Sequence, residues 1–270
     1  MITGRSGTLG KAFARICERR GLHFVLLSRS EMDVADPESV EEALDQFSPW
    51  AVVNTAGYVR VADAEREHDR CMRENTEGAT VLARAASKLK LPLATFSSDL
   101  VFDGQLNRPY LESDPTNPKC IYGLSKAKAE SQVLEAHPAA LIVRTSAFFG
   151  PWDRYNFAWA VLAALREKRP FLAASGLHVS PTYVPDLVDT TLDLLIDQAT
   201  GIWHVANDGH LTWREFAQRV ARVTGLDETL VQDAGSNQTG MTAIRSERGV
   251  RLPGLDEAIE RYVRELSVAA

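Results

Sequence analysis

Five short apolar runs, at 1–3, 24–27, 50–58, 93–97 and 141–144, alternate with stretches that read as helices. No other feature restricts the fold of this chain as much. Short, nearly continuous aliphatic runs are strands buried on both faces, and strands alternating with helices make a parallel sheet covered on both sides. The predicted class is α/β with a doubly wound parallel sheet.

The first run ends in Gly4-Arg5-Ser6-Gly7-Thr8-Leu9-Gly10, a Gly-x-x-Gly-x-x-Gly frame ahead of an amphipathic stretch carrying Phe13, Ile16 and Cys17. Such a loop turns sharply out of a strand, lets the backbone approach a pyrophosphate and aims a helix N-terminus at its charge. Alone, it is commonly only a turn. At the head of a strand and helix series it marks a Rossmann nucleotide site. Only Met1 to Thr3 precede Gly4, whereas a strand usually has about 5 residues. The expectation is that the natural polypeptide extends upstream, by a few residues or by a fused domain.

The second run ends at Ser28-Arg29-Ser30. An acidic residue there binds ribose hydroxyls, whereas an arginine between serines suits a 2′-phosphate. NADP(H) is therefore the preferred cofactor and NAD(H) the alternative, beside the plain reading of Arg29 as a solvated loop residue. The third run ends in Asn54-Thr55-Ala56-Gly57-Tyr58, small residues that leave room for a flat ligand at a strand's carboxyl end. A long helical region to about residue 90 contains Asn75, read either as a helix hydrogen-bonding residue or as the holder of a water near Lys126. The fourth run delivers Ser97, Ser98 and Asp99. Tyr122 and Lys126 then head a helix, four residues apart and on one face, which brings a phenol beside an ammonium, although alone such a pair is commonly a chance feature of a solvated helix face.

Beyond residue 150 the pattern loosens, with a helix holding Phe157, Val161 and Leu165, a loop over 175–181, a helix through 187–195 and a strand at 202–205. Thr212 and Glu215 form a capping box. The expected division is a cofactor-binding domain of 1–150 with 184–206, and a smaller substrate-binding lobe of 151–183 with 207–270.

A net charge of −6 argues against nucleic acid or anionic membrane as partner and for a small molecule. No apolar run reaches the length of a membrane span. Cys17, Cys71 and Cys120 are odd in number and scattered, which suits reduced thiols in the cytoplasm. The histidines show no ligand spacing, so no metal is expected. Asn237-Gln238-Thr239 matches a glycosylation acceptor and is read as a chance match.

Taken in order, these motifs, with Asp63-Ala64-Glu65, Val101-Phe102-Asp103-Gly104, Arg144-Thr145-Ser146 and Ser180-Pro181-Thr182-Tyr183-Val184-Pro185-Asp186-Leu187, make the chain resemble the extended short-chain dehydrogenase/reductases, and among them the dTDP-4-dehydrorhamnose reductase-like family. The resemblance implies NADPH-dependent reduction of a 4-keto nucleotide sugar. It makes Tyr122 the proton donor, Lys126 the ligand of the nicotinamide ribose that lowers the phenol pKa, and Ser98 a hydrogen-bond donor to the substrate oxygen. It assigns the cofactor to Gly4, Ser6, Gly7, Thr8, Leu9, Gly10, Ser28, Arg29, Asp33, Val34, Asn54, Thr55, Ala56, Gly57, Asn75, Ser97, Tyr122 and Lys126. It assigns the substrate to Ser98, Asp99, Tyr58, Ala147, Phe148 and Asn156, and leaves a homodimer open. Two positions depart from the family pattern: Leu100 and Ala147 stand where aromatics are common, which removes surface for a sugar ring. Leu100 also cannot protonate a leaving hydroxyl, which disfavours a dehydratase. The alternatives are a nucleotide-sugar epimerase and a non-catalytic nucleotide-binding subunit, since the fold also resembles the regulatory subunit of methionine adenosyltransferase.

Overall fold

The computed structural model describes residues 1–235 and 239–268; Asn237 and Gln238 of the glycosylation-like triplet lie outside them. Strands β1 (Ile2–Thr3), β2 (Leu26–Leu27), β3 (Val52–Asn54), β4 (Leu93–Ser98) and β5 (Leu141–Thr145) share one sheet with a sixth, Gly201–His204. The spatial order is 2-1-3-4-5-6. The pairings of β1 with β2 and β3, and of β3 with β4, are parallel. Every residue of β3, β4 and β5 is buried, which is why their sequences run apolar instead of alternating.

Order reverses between β1 and β3. In open α/β sheets the ligand crevice lies outside the carboxyl ends of the strands at such a reversal. The glycine loop leaves β1 at that point, and Asn54-Thr55-Ala56-Gly57 leaves β3. The helix after the loop, Thr8–Arg19, buries Leu9, Ala12, Phe13, Ile16 and Cys17, the one-face spacing of a helix packed on a sheet. Pro37–Phe47 begins with Pro37 behind an Asp36 cap that accepts from Glu38 N, residue types suited to the first helical position and the cap.

Between residues 61 and 88 the structure differs from the expected continuous helical region. A 3₁₀ turn (Val61–Asp63), a short helix (His68–Met72), a π turn (Arg73–Glu77) and the helix Gly78–Lys88 follow one another. The π turn buries Asn75 and Thr76.

The chain divides into two compact units. One comprises Met1–Asp103, Pro115–Arg144 and Val188–Trp203; the other comprises Gly104–Asp114, Thr145–Leu187 and the chain from His204 onward. The first is built on Val40, Leu44, Val52, Leu82, Leu93, Val133 and Ile142. The second packs Phe149 against Tyr183, Phe216 and Tyr262, with ring centroids 5.5, 5.3 and 5.5 Å away.

Segment 104–114 thus clusters with the second unit, whereas the sequence division placed it in the first. Its hydrogen bonds explain the assignment. Tyr110 N donates to Ala243 O at 2.8 Å, and Arg245 N donates to Tyr110 O at 2.9 Å. The buried Glu112 carboxylate accepts from His204 N, Ser246 Oγ and Glu247 N at 2.8, 2.7 and 2.8 Å.

The expected loop at 175–181 contains a strand, Leu177–Val179, paired antiparallel with Leu211–Thr212 and parallel with Gly240–Met241. The capping box follows directly, with Thr212 and Glu215 bonded reciprocally. Among the described residues no helix is long and apolar enough to cross a membrane.

Candidate active site

The glycine loop is shaped by contacts that leave no room for side chains. Gly4 has φ +81°, and a Cβ on it would lie 2.7 Å from Thr55 Oγ1. A Cβ on Gly10 would lie 2.3 Å from Gly4 O. Gly7 caps the Thr8–Arg19 helix with no side-chain cap, and no acidic residue occupies the first turn. The helix start therefore offers its partial positive charge to an incoming anion. Thr3 and Asn54 brace the other side: Thr3 Oγ1 donates to Asn54 Oδ1 at 2.8 Å, and Thr55 Oγ1 donates to Thr3 O at 2.5 Å. Ala56 N donates to Thr3 Oγ1 at 3.1 Å. This cradle fits a dinucleotide pyrophosphate. Within it Leu9 is buried, so its side chain serves the core and only its backbone faces the loop.

At the end of β2 the arrangement is more closed than the sequence suggests. Ser28 N and Oγ both donate to Glu31 Oε2, at 2.8 and 2.6 Å, and Glu31 pairs with Arg5 at 2.9 Å. Hydrogen bonds from Ser28, ahead of the Arg5 charge, hold the Glu31 carboxyl below its ordinary range. Arg29 is exposed and lies between Glu74, at 2.8 Å, and Asp33, at 3.4 Å. Asp33 is also held by Arg73 at 3.0 Å. Val34 is buried in the core. Glu31, Glu74 and Arg73 escape a reading of the sequence, since charges 26, 45 and 40 residues from their partners carry no local signal.

Tyr122 and Lys126 are both half-buried at the head of the Ile121–Ala136 helix. The Lys126 Nζ lies 6.0 Å from the Tyr122 ring centroid and donates to Phe96 O at 3.1 Å. Here the structure differs from the expected lowering of the phenol pKa. Burial, followed by the charges of Asp99, Cys71 and Cys120, pushes the phenol above its ordinary value. Burial also pushes the ammonium down to about 8, with Cys71 and Glu130 acting in the opposite direction. A phenol that stays protonated near neutrality is in the state required to donate a proton.

Gly123 sets how closely this helix approaches the Asp99–Val101 turn. A Cβ on it would lie 2.0 Å from Leu100 O. On the facing turn Ser98 Oγ donates to Asp99 Oδ1 at 3.1 Å and accepts from Leu100 N at 3.1 Å. Ser98, Asp99, Tyr122 and Lys126 are thereby parts of one packed unit.

Asn75 ties the segments together from below. Its Oδ1 accepts from Tyr58 N at 2.9 Å, and its Nδ2 donates to Ser125 Oγ at 2.9 Å. A Cβ on Gly57 would lie 2.7 Å from Asn75 Oδ1 and 3.6 Å from Lys126 Nζ, so the end of β3, the π turn and the lysine converge. The π turn rotates Asn75 into this position; such insertions are frequent at functional sites. Tyr58 is buried with Ala64 and Cys71, against Tyr122, and its buried hydroxyl has no hydrogen-bond partner among the described residues. Ser97 Oγ donates to Glu130 Oε1 at 2.5 Å, which turns that hydroxyl toward the interior.

Three predicted substrate residues belong to the second unit. Ala147 has φ +38°, a left-handed conformation uncommon for a side chain other than glycine. Phe148 is half-buried and pairs with Thr182. Asn156 is buried as the cap of the Phe157–Arg166 helix. Its Oδ1 accepts from Trp159 N at 2.9 Å, and its Nδ2 donates to Gly150 O and Asp153 O at 3.1 and 2.6 Å. Its amide is engaged in shaping the loop. Among the described residues no group of three or more His, Cys, Asp or Glu is arranged to hold a metal.

Comparison with known proteins gives a consistent picture. A family model described as the RmlD substrate binding domain matches residues 1–251. A dTDP-4-dehydrorhamnose reductase of Streptomyces griseus is 34% identical over 251 residues, covering 91% of this chain and 82% of that protein. Spore coat polysaccharide biosynthesis protein SpsK of Bacillus subtilis (strain 168) is 30% identical over 279 residues, covering 100% and 98%. The crystal structure of dTDP-4-dehydrorhamnose reductase from Bacillus anthracis str. Ames in complex with NADP matches with a TM-score of 0.92 at 27% identity, covering 98% of this chain and 96% of that one.

Proposed function

The chain belongs to the RmlD substrate binding domain family, and on that premise we propose that it reduces a 4-keto nucleotide sugar with NADPH. The observation that carries the reading is the half-buried Tyr122 and Lys126 pair, packed beside a glycine cradle at the order reversal of the sheet. Relatives named as dTDP-4-dehydrorhamnose reductases, one of them solved with NADP, support it.

In this reading Gly4, Gly7 and Gly10 admit the pyrophosphate, Asn54 to Gly57 flank the nicotinamide half, and Lys126 binds its ribose. The bound cofactor supplies a hydride to the sugar carbonyl carbon. Tyr122 delivers its phenolic proton to the carbonyl oxygen, and Ser98 turns its hydroxyl from Asp99 to that oxygen. Two hydroxyl donors aimed at that oxygen stabilise the negative charge that develops on it. Ala147, Phe148 and Asn156 remain assigned to the sugar nucleotide on family grounds.

Two outcomes follow. Gly10→Ala forces a Cβ against Gly4 O, and overpacking of this kind costs about 1–3 kcal/mol. NADPH titration by fluorescence is expected to show a Kd raised about tenfold or more; unchanged affinity contradicts the cradle. The proposed activity itself is tested by the fall in NADPH absorbance with dTDP-4-dehydro-6-deoxy-mannose. Turnover with NADPH is expected to exceed that with NADH, and Arg29→Ala is expected to erase the difference by weakening NADPH alone. Equal loss with both cofactors removes Arg29 from 2′-phosphate recognition. Binding without turnover, as in a regulatory subunit, removes the reductase reading.

A further inference from the structure

Behind Lys126 the first unit contains a buried ion pair that the proposed chemistry does not use. Glu130 lies one helical turn beyond Lys126, on the same face. Arg144 Nε and Nη2 donate to Glu130 Oε1 and Oε2 at 2.8 and 2.7 Å, and Ser97 Oγ donates to Oε1. Both charged side chains are nearly inaccessible, 3% exposed for Arg144 and 6% for Glu130. Ser97 directly follows Phe96, whose carbonyl takes the Lys126 ammonium at 3.1 Å.

Lys126 and Glu130 also share a cavity. It offers about 10 Å³ to the centre of a water molecule, and the polar residues Asn54, Asn75, Thr95 and Ser97 line it as well. A void of that size with several polar walls suits one ordered water.

We infer that Glu130, fixed by Arg144 and Ser97, is a positioning residue for Lys126, its carboxylate joined to the ammonium through one water in this cavity. The idea rests on the reading of Lys126 as the amine that serves the phenol. The titratable and charged groups named as acting on Lys126 among the described residues are Glu130 on its own helix and Cys71 on the His68–Met72 helix, with Tyr122 beside it, Arg144 of β5 against Glu130, and the uncharged Phe96 carbonyl and Asn75 completing its surroundings. Burial works against the ammonium, and Glu130 works for it. Because the carboxylate favours the charged form, its removal lowers the pH at which Lys126 loses its proton.

The test is the titration of the Lys126 side chain, followed by heteronuclear NMR of the full chain and assigned by its absence in Lys126→Met. The wild-type midpoint is expected at about 8, and in Glu130→Gln about one unit lower. The alkaline limb of kcat/KM moves down with it, whereas Glu130→Asp, which keeps the charge, restores most of the shift. Glu130→Gln leaves Arg144 without its carboxylate, so Glu130→Gln with Arg144→Met is measured beside it, and a downward shift is expected there too. An unmoved Lys126 midpoint in either folded variant overturns the inference. Failure of both variants to fold assigns the pair to the fold alone and overturns it as well. The titration needs no substrate, so it stands apart from the failure of the reductase assay.

Discussion

Tyr122→Phe is expected to lower ketone reduction by about 10²–10⁴-fold, the range supplied by one positioned general acid, with NADPH affinity held within about twofold. The substitution removes one oxygen and keeps the ring that packs against Tyr58, Ala64 and Cys71. Lys126 keeps its bond to Phe96 O, and the glycine cradle is untouched. The rate and the affinity therefore separate. Stopped-flow reduction and cofactor titration on one preparation measure both; a variant within about threefold of wild-type turnover shows that another group donates the proton. The same phenol gives a sign for pH. Its pKa is raised by burial, so the donor stays protonated across neutrality, and the alkaline fall in rate follows the ammonium of Lys126 near 8.

Arg144→Met is expected to cost about 3–5 kcal/mol of stability, the usual penalty when one partner of a buried pair is left alone. Glu130 would keep a charge at 6% exposure with only Ser97 donating to its Oε1. At about 2–4 °C per kcal/mol for a chain of this size, the unfolding midpoint falls by roughly 10 °C. Adding Glu130→Gln is expected to recover much of the loss, because the stranded charge disappears. Additive losses in the double-mutant cycle contradict the pairing.

The elements that place the site were largely legible in the sequence. Gly4, Gly7 and Gly10 could be recognised because close backbone approach demands glycine. The runs of β3, β4 and β5 could be recognised because strands buried on both faces are apolar throughout. Helical spacing alone left Tyr122 and Lys126 a weak pair, and the ordered motifs before and after them made the pair legible as a site. What stayed hidden was pairing between distant segments. Glu130 and Arg144 lie on a helix and a strand, and no periodicity joins them. The π turn at Arg73–Glu77 adds a backbone irregularity without a residue signature, yet it aims Asn75 at Tyr58 and Ser125. The three-residue strand Leu177–Val179 was too short to rise above loop composition. Asn156 sits directly ahead of the helix holding Phe157, a position where asparagine favours capping, and the structure adds that cap role to its family assignment. The resemblance implies that Lys126 lowers the phenol pKa; in the structure burial of the phenol, followed by the charges of Asp99, Cys71 and Cys120, acts in the opposite direction.

Hydride delivery to a sugar carbonyl on this chain leaves its signature in isotope transfer. The chain is incubated with dTDP-4-dehydro-6-deoxy-mannose and NADPH deuterated at the transferable position of the nicotinamide ring, and the product is examined by mass spectrometry and NMR. A reduced nucleotide sugar carrying one deuterium at C4 is expected, with Tyr122→Phe yielding little of it. Recovery of unreduced sugar with the cofactor unconsumed, under conditions where both are bound, would contradict hydride delivery.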